Sequence, residues 1–254
     1  ARLGILGNGF LLSPQLCENR QAPDVHRAFA AVFGTEELVV NIGRASVMRP
    51  TRRVPMGRSA DAEEAAYMDR PEWRSAEGAD WLHWDLNPFT GAASTFSWKA
   101  RDVFANRGYD RLHVQAILAL SECGPDDGGF YCIPGSHRSL RSWANENGPS
   151  VPDSSIASPE SSMQLRLPQD DPLKAHAQKA PIRSGSLLIW DAMLAHCNFP
   201  NDSERPRMVQ YIQMAEADDP VIGPLCGSEA YFPPPGEFKF TDLGRRLYGF
   251  EPWG

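Results

Sequence analysis

The chain has 254 residues, of which 42% are hydrophobic and 22% charged, and a formal net charge of −7. That length allows one large domain with a real core, and β barrels of this size commonly fold as one unit. The acidic balance excludes a surface built to bind nucleic-acid phosphates, and no run approaches the ~18 consecutive apolar residues of a membrane span.

The 22 prolines and 21 glycines predict many turns rather than a helical bundle. The cysteines are Cys17, Cys123, Cys132, Cys197 and Cys226, an odd number with no Cys-x-x-Cys pair. That pattern argues against a disulfide framework and a thiolate zinc site, and for a reducing compartment such as the cytoplasm. The chain begins at Ala1 without a signal pattern, which reads as a processed form.

Gly4 to Gly9 has the look of a phosphate-cradling loop but lacks the full glycine spacing, so a turn leading into a helix is the better reading. Ser13-Pro14 makes a helix start. The helical region runs to Phe33 with an interruption at Pro23 and a stop at Gly34. Glu37 to Met48 reads as one strand ended by Pro50. Arg49, Arg52, Arg53 and Arg58 form a basic run, and Asp61 to Asp69 reads as a short helix with Asp61 and Glu64 in capping-box spacing.

Trp81 to Asp85 reads as a strand ended by Asn87-Pro88, followed by a long aromatic and cationic segment over 87–110. Leu112 to Ser121 is a buried strand in which Gln115 shares a face with Ile117 and Ala119, so its amide needs a partner. A turn at Cys123 to Gly129 leads to a return strand from Phe130 to Ile133. Pro134-Gly-Ser-His137 then turns the chain, with Ser136 making the turn and His137 capping it. Residues 144–180 read as a surface excursion holding one short strand, Met163 to Leu167. Strands follow over Gly185 to Asp191 and Met208 to Gln213, then a short helix near Leu243 to Tyr248. The expected fold is mainly β, a sandwich or barrel with peripheral helices. It is one domain, with helices over 13–33, core strands over about 37–213 and an extension over 214–254.

Within this frame the chemistry concentrates at His83-Trp84-Asp85. Alternate side chains of a strand share a face, so His83 and Asp85 point the same way. One further imidazole, such as His196, would complete the two-histidine, one-carboxylate set that holds a non-haem Fe(II) with positions left open. By itself His-x-Asp is a weak signal, equally suited to an exposed strand.

The order His83-x-Asp85, Gly128-Gly129-Phe130, Pro134-Gly-Ser-His137, Gly185 to Asp191, His196 and Arg207 resembles the phytanoyl-CoA dioxygenase family of Fe(II)- and 2-oxoglutarate-dependent oxygenases. The resemblance runs from about Val39 to Gln213. It implies a double-stranded β-helix, a jelly-roll barrel. It implies Fe(II) on His83, Asp85 and His196, with 2-oxoglutarate and O2 as cosubstrates and ascorbate to keep iron reduced. It also implies an arginine gripping the far carboxylate of 2-oxoglutarate: Arg207 by spacing, with Arg205 an open alternative. Asn198 and Gln115 are further candidates for contacts with the cosubstrate.

The reaction expected from that resemblance is hydroxylation of an unactivated C–H bond in a small or lipid-like substrate, with release of succinate and CO2. Arg49, Arg52, Arg53, Lys99 and Arg101 favour an anionic substrate, and segments 87–110 and 144–180 are placed to close over the mouth. Two other readings keep the barrel: a zinc or manganese hydrolase or isomerase on the same ligands, and a binding protein without turnover. Cys197, directly after the distal histidine, is exposed to oxidation by misfired turnover. Trp190 and Asp191 read as packing and turn.

Overall fold

The computed structural model describes residues 6, 11–56, 66–74, 81–87, 92–93, 112–147, 165–219 and 238–254. Helix α1 (Pro14–Gln21) and helix α2 (Pro23–Phe33) each start with proline at the first position, where the missing N–H costs nothing. Gly34 ends α2 in the left-handed region (φ 74°) and its N–H returns to the Ala30 carbonyl. The interruption at Pro23 and the stop at Gly34 fall where the sequence puts them.

Two five-stranded antiparallel sheets form the body. In the larger, β12 (Leu187–Asp191), β8 (Val114–Ala119) and β14 (Arg207–Glu216) lie side by side. The free edge of β14 is shared by β2 (Ala45–Met48) and β1 (Leu38–Asn41). The smaller sheet runs β10 (Leu165–Arg166), β5 (His83–Trp84), β13 (His196–Phe199), β9 (Gly129–Cys132) and β11 (Gln178–Ala180). From β8 onward the chain passes between sheets, through β9 to β12, β13 and β14. This is the connectivity of a mainly antiparallel double-stranded β-helix.

The side-chain period of two explains what each sheet buries. On β8, Val114 and Ala116 join Ile212 and Met214 beneath Val25 and Phe29 of α2 and beneath Leu247 and Tyr248. The alternate residues Ile117 and Ala119 face the space between the sheets, with Phe130, Trp190 and Val209. The smaller sheet has its own outer cluster: Trp84, Leu165 and Cys197 pack with Trp143 and Leu140. Because both faces of β8 are covered, it reads as an almost unbroken apolar run in which Gln115 stands out.

Four readings of the sequence are corrected. The strand expected over Glu37 to Met48 is two strands, broken at Ile42 to Arg44. A Cβ on Gly43 would collide with the Tyr211 backbone carbonyl, so the chain passes over β14 too closely for a continuous ladder with a side chain there. The helix expected at Asp61 to Asp69 is a strand where it is described: β4 (Ala66–Met68) pairs with β3 (Val54–Met56). The local capping signal yields there to strand pairing, and Asp61 and Glu64 lie outside the described residues. Residues 144–147 belong to helix α3 (Leu140–Asn147), not to a surface excursion. Over the described residues 165–180 the chain is largely at the surface, with Leu165, Leu167 and Asp171 buried and a short strand at Leu165–Arg166, while 148–164 lie outside the described residues. The fourth correction is at Asp85, which bends the chain between β5 and β6 (Leu86–Asn87); β6 pairs with β7 (Ala92–Ala93).

Helix α4 (Asp242–Leu247) is capped by Thr241, whose side chain accepts from the Gly244 N–H. No helix among the described residues is long and apolar enough to cross a membrane.

Candidate metal centre

His83 and His196 are direct partners in the β5–β13 ladder. Directly opposed strand residues bring their Cβ atoms to ~5 Å, and the two imidazole centroids lie 5.0 Å apart. Trp84, between His83 and Asp85, turns to the outer cluster against Trp143 at 4.9 Å. Asp85 at the bend sets its carboxylate against both rings. Oδ1 is 3.3 Å from His83 Nε2, and Oδ2 is 3.7 Å from His196 Nε2.

The tautomers follow from the other ring nitrogens. His83 Nδ1 is 2.9 Å from the Trp81 carbonyl and His196 Nδ1 is 2.8 Å from the Leu194 carbonyl. A carbonyl only accepts, so both Nδ1 atoms donate, and Nε2 is in each case the ring nitrogen left for an ion. In each case the acceptor lies two residues upstream of the histidine. Burial pushes the His196 pKa down to about 4, against an opposing pull from Asp85, so this ring is neutral at ordinary pH.

The ligand atoms of His83, Asp85 and His196 all lie within 4.8 Å of one another. Three ligands at ~2.1 Å on one face of an octahedron are ~3 Å apart, close to the observed separations. Two imidazoles and one carboxylate suit a divalent ion of the iron, zinc or manganese type, and the three residues form a metal-binding triad.

Aromatic rings fix this triad in place. Trp81 stacks on His83 at 5.0 Å and donates its indole N–H to the Asn198 carbonyl. Phe130 stacks on His196 at 5.6 Å, and Trp190 packs against it at 5.3 Å. The turn before His196 is pinned twice: Asp191 Oδ1 accepts from Met193 N–H, and Ser136 Oγ accepts from Ala195 N–H. Ser136 thus joins one turn to another. His137 Nδ1, expected as a cap, has no hydrogen-bond partner. The sequence reading gave no role to Trp81, Phe130 or the Leu194 carbonyl. For Trp81 and Leu194 the signal available was their spacing, two residues before His83 and His196; Phe130 offered none of that kind.

Of the remaining candidates, Gln115 and Arg207 are buried on strands of the larger sheet and Asn198 lies on the strand of His196. Gln115 donates its amide to Asp85 Oδ2 at 2.6 Å. Asn198, two residues after His196 on the same strand, donates to the Tyr211 hydroxyl at 3.0 Å. Tyr211 and Arg207 alternate with Val209 on one face of β14. Arg207 is fully buried; among the described residues its Nε and Nη2 have no hydrogen-bond partner, and Nη1 has the Met48 thioether at 3.8 Å. Arg205 is different: its side chain is 62% exposed and pairs with the buried Asp127 at 2.7 Å.

Cys197 is 1% exposed and belongs to the outer cluster, so it faces away from the metal ligands. Cys132 lies directly across the β9–β13 ladder from His196, packs with Phe130's cluster and is partly exposed. Of the basic run, Arg49 lies over the Trp73 ring at 4.1 Å and Arg53 over Tyr67 at 5.0 Å. Arg58, Lys99 and Arg101 lie outside the described residues.

The family model described as Phytanoyl-CoA dioxygenase (PhyH) matches residues 54–209, more than half of the chain. A phytanoyl-CoA dioxygenase homologue of Dictyostelium discoideum is 22% identical over 218 residues, covering 80% of this chain and 54% of that protein. The chain therefore spans about half the length of this relative. Among solved structures, the metal-free non-heme monooxygenase ThoJ is similar at 15% identity and TM-score 0.49, with 86% of this chain and 61% of that one covered. EctD from S. alaskensis, solved with 2-oxoglutarate and 5-hydroxyectoine, is similar at 13% identity and TM-score 0.45, with coverages of 85% and 57%. With the metal-binding triad inside the matched span, the chain belongs to the phytanoyl-CoA dioxygenase family.

Proposed function

We propose that this protein is a non-haem iron, 2-oxoglutarate-dependent oxygenase that hydroxylates a C–H bond of a small organic substrate. The observation that carries the reading is Arg207. A buried guanidinium without an anion is unfavourable by several kcal/mol, so a native barrel that keeps one has a negatively charged partner in view. A dicarboxylate that chelates the metal with one end and reaches Arg207 with the other supplies that partner. Family membership and the triad's donor set agree with iron as the metal.

Bound iron would supply the reaction with O2 that makes an unactivated C–H bond attackable. The chain's own residues have simpler tasks. His83, Asp85 and His196 would hold the ion and leave it open to cosubstrate and O2. The carbonyls of Trp81 and Leu194 keep both Nε2 atoms available. Arg207 grips the far carboxylate of 2-oxoglutarate through its planar fork, which fixes how that molecule enters. Asn198, two residues after His196, and the Tyr211 hydroxyl to which it donates offer polar groups to the cosubstrate. Phe130 and Trp190 keep water from the His196 side.

The test is an anaerobic Fe(II) titration with and without 2-oxoglutarate, read as the weak visible charge-transfer band of the chelate. The band should need both components, vanish in His196→Ala and weaken in Arg207→Ala. Its absence from freshly reduced protein, with 2-oxoglutarate failing to bind, would refute the proposal. Substrate screening by succinate release follows a positive result.

A further inference from the structure

We infer that Gln115 is a positioning residue for the metal-binding carboxylate: from the opposite sheet, it holds Asp85 Oδ2 so that Oδ1 is presented to the ion. The inference rests on the reading of His83, Asp85 and His196 as a metal site, and goes beyond it by assigning what orients the third ligand.

The three ligands are not held alike. Each histidine is oriented locally, by an Nδ1–H bond to a carbonyl two residues upstream in its own strand region. Asp85 sits at the bend between two strands of two residues each, outside either ladder. Sheet pairing therefore does not fix its side-chain torsions. A carboxylate offers the ion one oxygen, two, or neither according to its side-chain torsions, so a bond that fixes those torsions decides what is presented.

Gln115 is suited to fix it. It stands near the start of β8, whose ladder to β12 pairs Gln115 with Trp190 and whose ladder to β14 pairs Ala116 with Ile212. That backbone is held on both sides, so the amide is carried on a rigid strand. Gln115 is 6% exposed on a face shared with Ile117 and Ala119, where a buried amide without a partner would be costly. Its N–H reaches Asp85 Oδ2 at 2.6 Å, a short charge-assisted bond.

Length and charge also select this residue. Asparagine is one methylene shorter and would fall short of a bond already at contact distance. A lysine or arginine would neutralise the carboxylate and compete with the ion. A neutral amide orients without competing. The cross-strand pair of Gln115 and Trp190 thus serves two ligands at once: Gln115 bonds Asp85 and Trp190 packs against His196.

The experiment titrates Co(II) into metal-free protein and follows its visible absorption, which reports both affinity and coordination. It compares wild type, Gln115→Met, Gln115→Asn and His196→Ala, with thermal melting of each metal-free protein alongside. The expected result is a loss of ~10–100-fold in Co(II) affinity in both Gln115 variants, with a changed Co(II) spectrum and little change in melting. Affinity within twofold of wild type would overturn the inference while leaving the metal site standing. So would a weaker affinity with an unchanged spectrum, the mark of a merely structural role. Wild type binding no more Co(II) than His196→Ala would remove the metal site itself and the inference with it.

Discussion

Arg205 and Arg207, two residues apart, end in opposite environments: Arg205 is exposed and paired with Asp127, whereas Arg207 is fully buried with no anionic partner among the described residues. Pro206 between them stays in the loop, and Arg207 is the first residue of β14, inside the ladder opposite Met48. The pair gives a two-way prediction. Arg207→Ala should weaken 2-oxoglutarate binding by ~10–100-fold, the worth of a charge-assisted bond. Arg205→Ala should leave it within threefold. Isothermal titration of the anaerobic metal-loaded protein checks both.

Arg207 also bears on stability. Replacing an unpaired buried charge with an apolar side chain of similar length is commonly neutral or stabilising. Arg207→Met should therefore melt at or above the wild-type temperature without 2-oxoglutarate, and should gain nothing when it is added. Wild type should gain, because a ligand that binds only the folded state stabilises it. A variant that melts well below wild type without ligand would show that Arg207 is already satisfied in the free protein.

The His196 pKa, pushed down to about 4 by burial, sets a pH dependence. Between about pH 4 and the unfolded value near 6.5, the unfolded chain binds the proton that the folded chain refuses. Stability of the metal-free protein should therefore rise with pH through this window and level off above it. The span is at most ~3 kcal/mol from this group. Urea unfolding at several pH values, in wild type and His196→Asn, measures it; the variant should show a shallower slope.

Two glycines should respond differently to alanine. Gly34→Ala meets no atom within 4 Å but must adopt φ 74°, a strain of ~1 kcal/mol. Gly43→Ala would press a Cβ into the Tyr211 backbone and should cost ~2 kcal/mol or more, since a ladder strand must move. Chemical denaturation of both variants ranks them.

Oxidative damage should select Cys132 over Cys197. Cys132 faces the metal side of the β9–β13 ladder and is partly exposed, while Cys197 is turned outward and buried. Incubation with Fe(II), 2-oxoglutarate and O2 but no substrate, followed by peptide mass spectrometry, should find added oxygen at Cys132. Modification of Cys197 alone would contradict the side-chain alternation on β13.

The sequence by itself determined much of this protein. The positions of Pro14, Pro23 and Gly34 set the helix limits, because proline lacks an N–H and glycine tolerates positive φ. The alternation along β8 marked Gln115 as a residue in need of a partner. The motif order supplied the family and, through it, the ligands. Local signals misled at β4, which formed by pairing with β3 against a helix-capping pattern.

Only the tertiary structure decided the site. Sheet register put His83 opposite His196 across 113 residues of chain. The bend at Asp85 replaced the straight strand from which the shared face was argued, yet the carboxylate still meets both rings. Burial separated Arg207 from Arg205, and inter-sheet contact gave Gln115 its partner. These are relations between strands brought together by packing, and no local pattern encodes which buried donor will meet which acceptor.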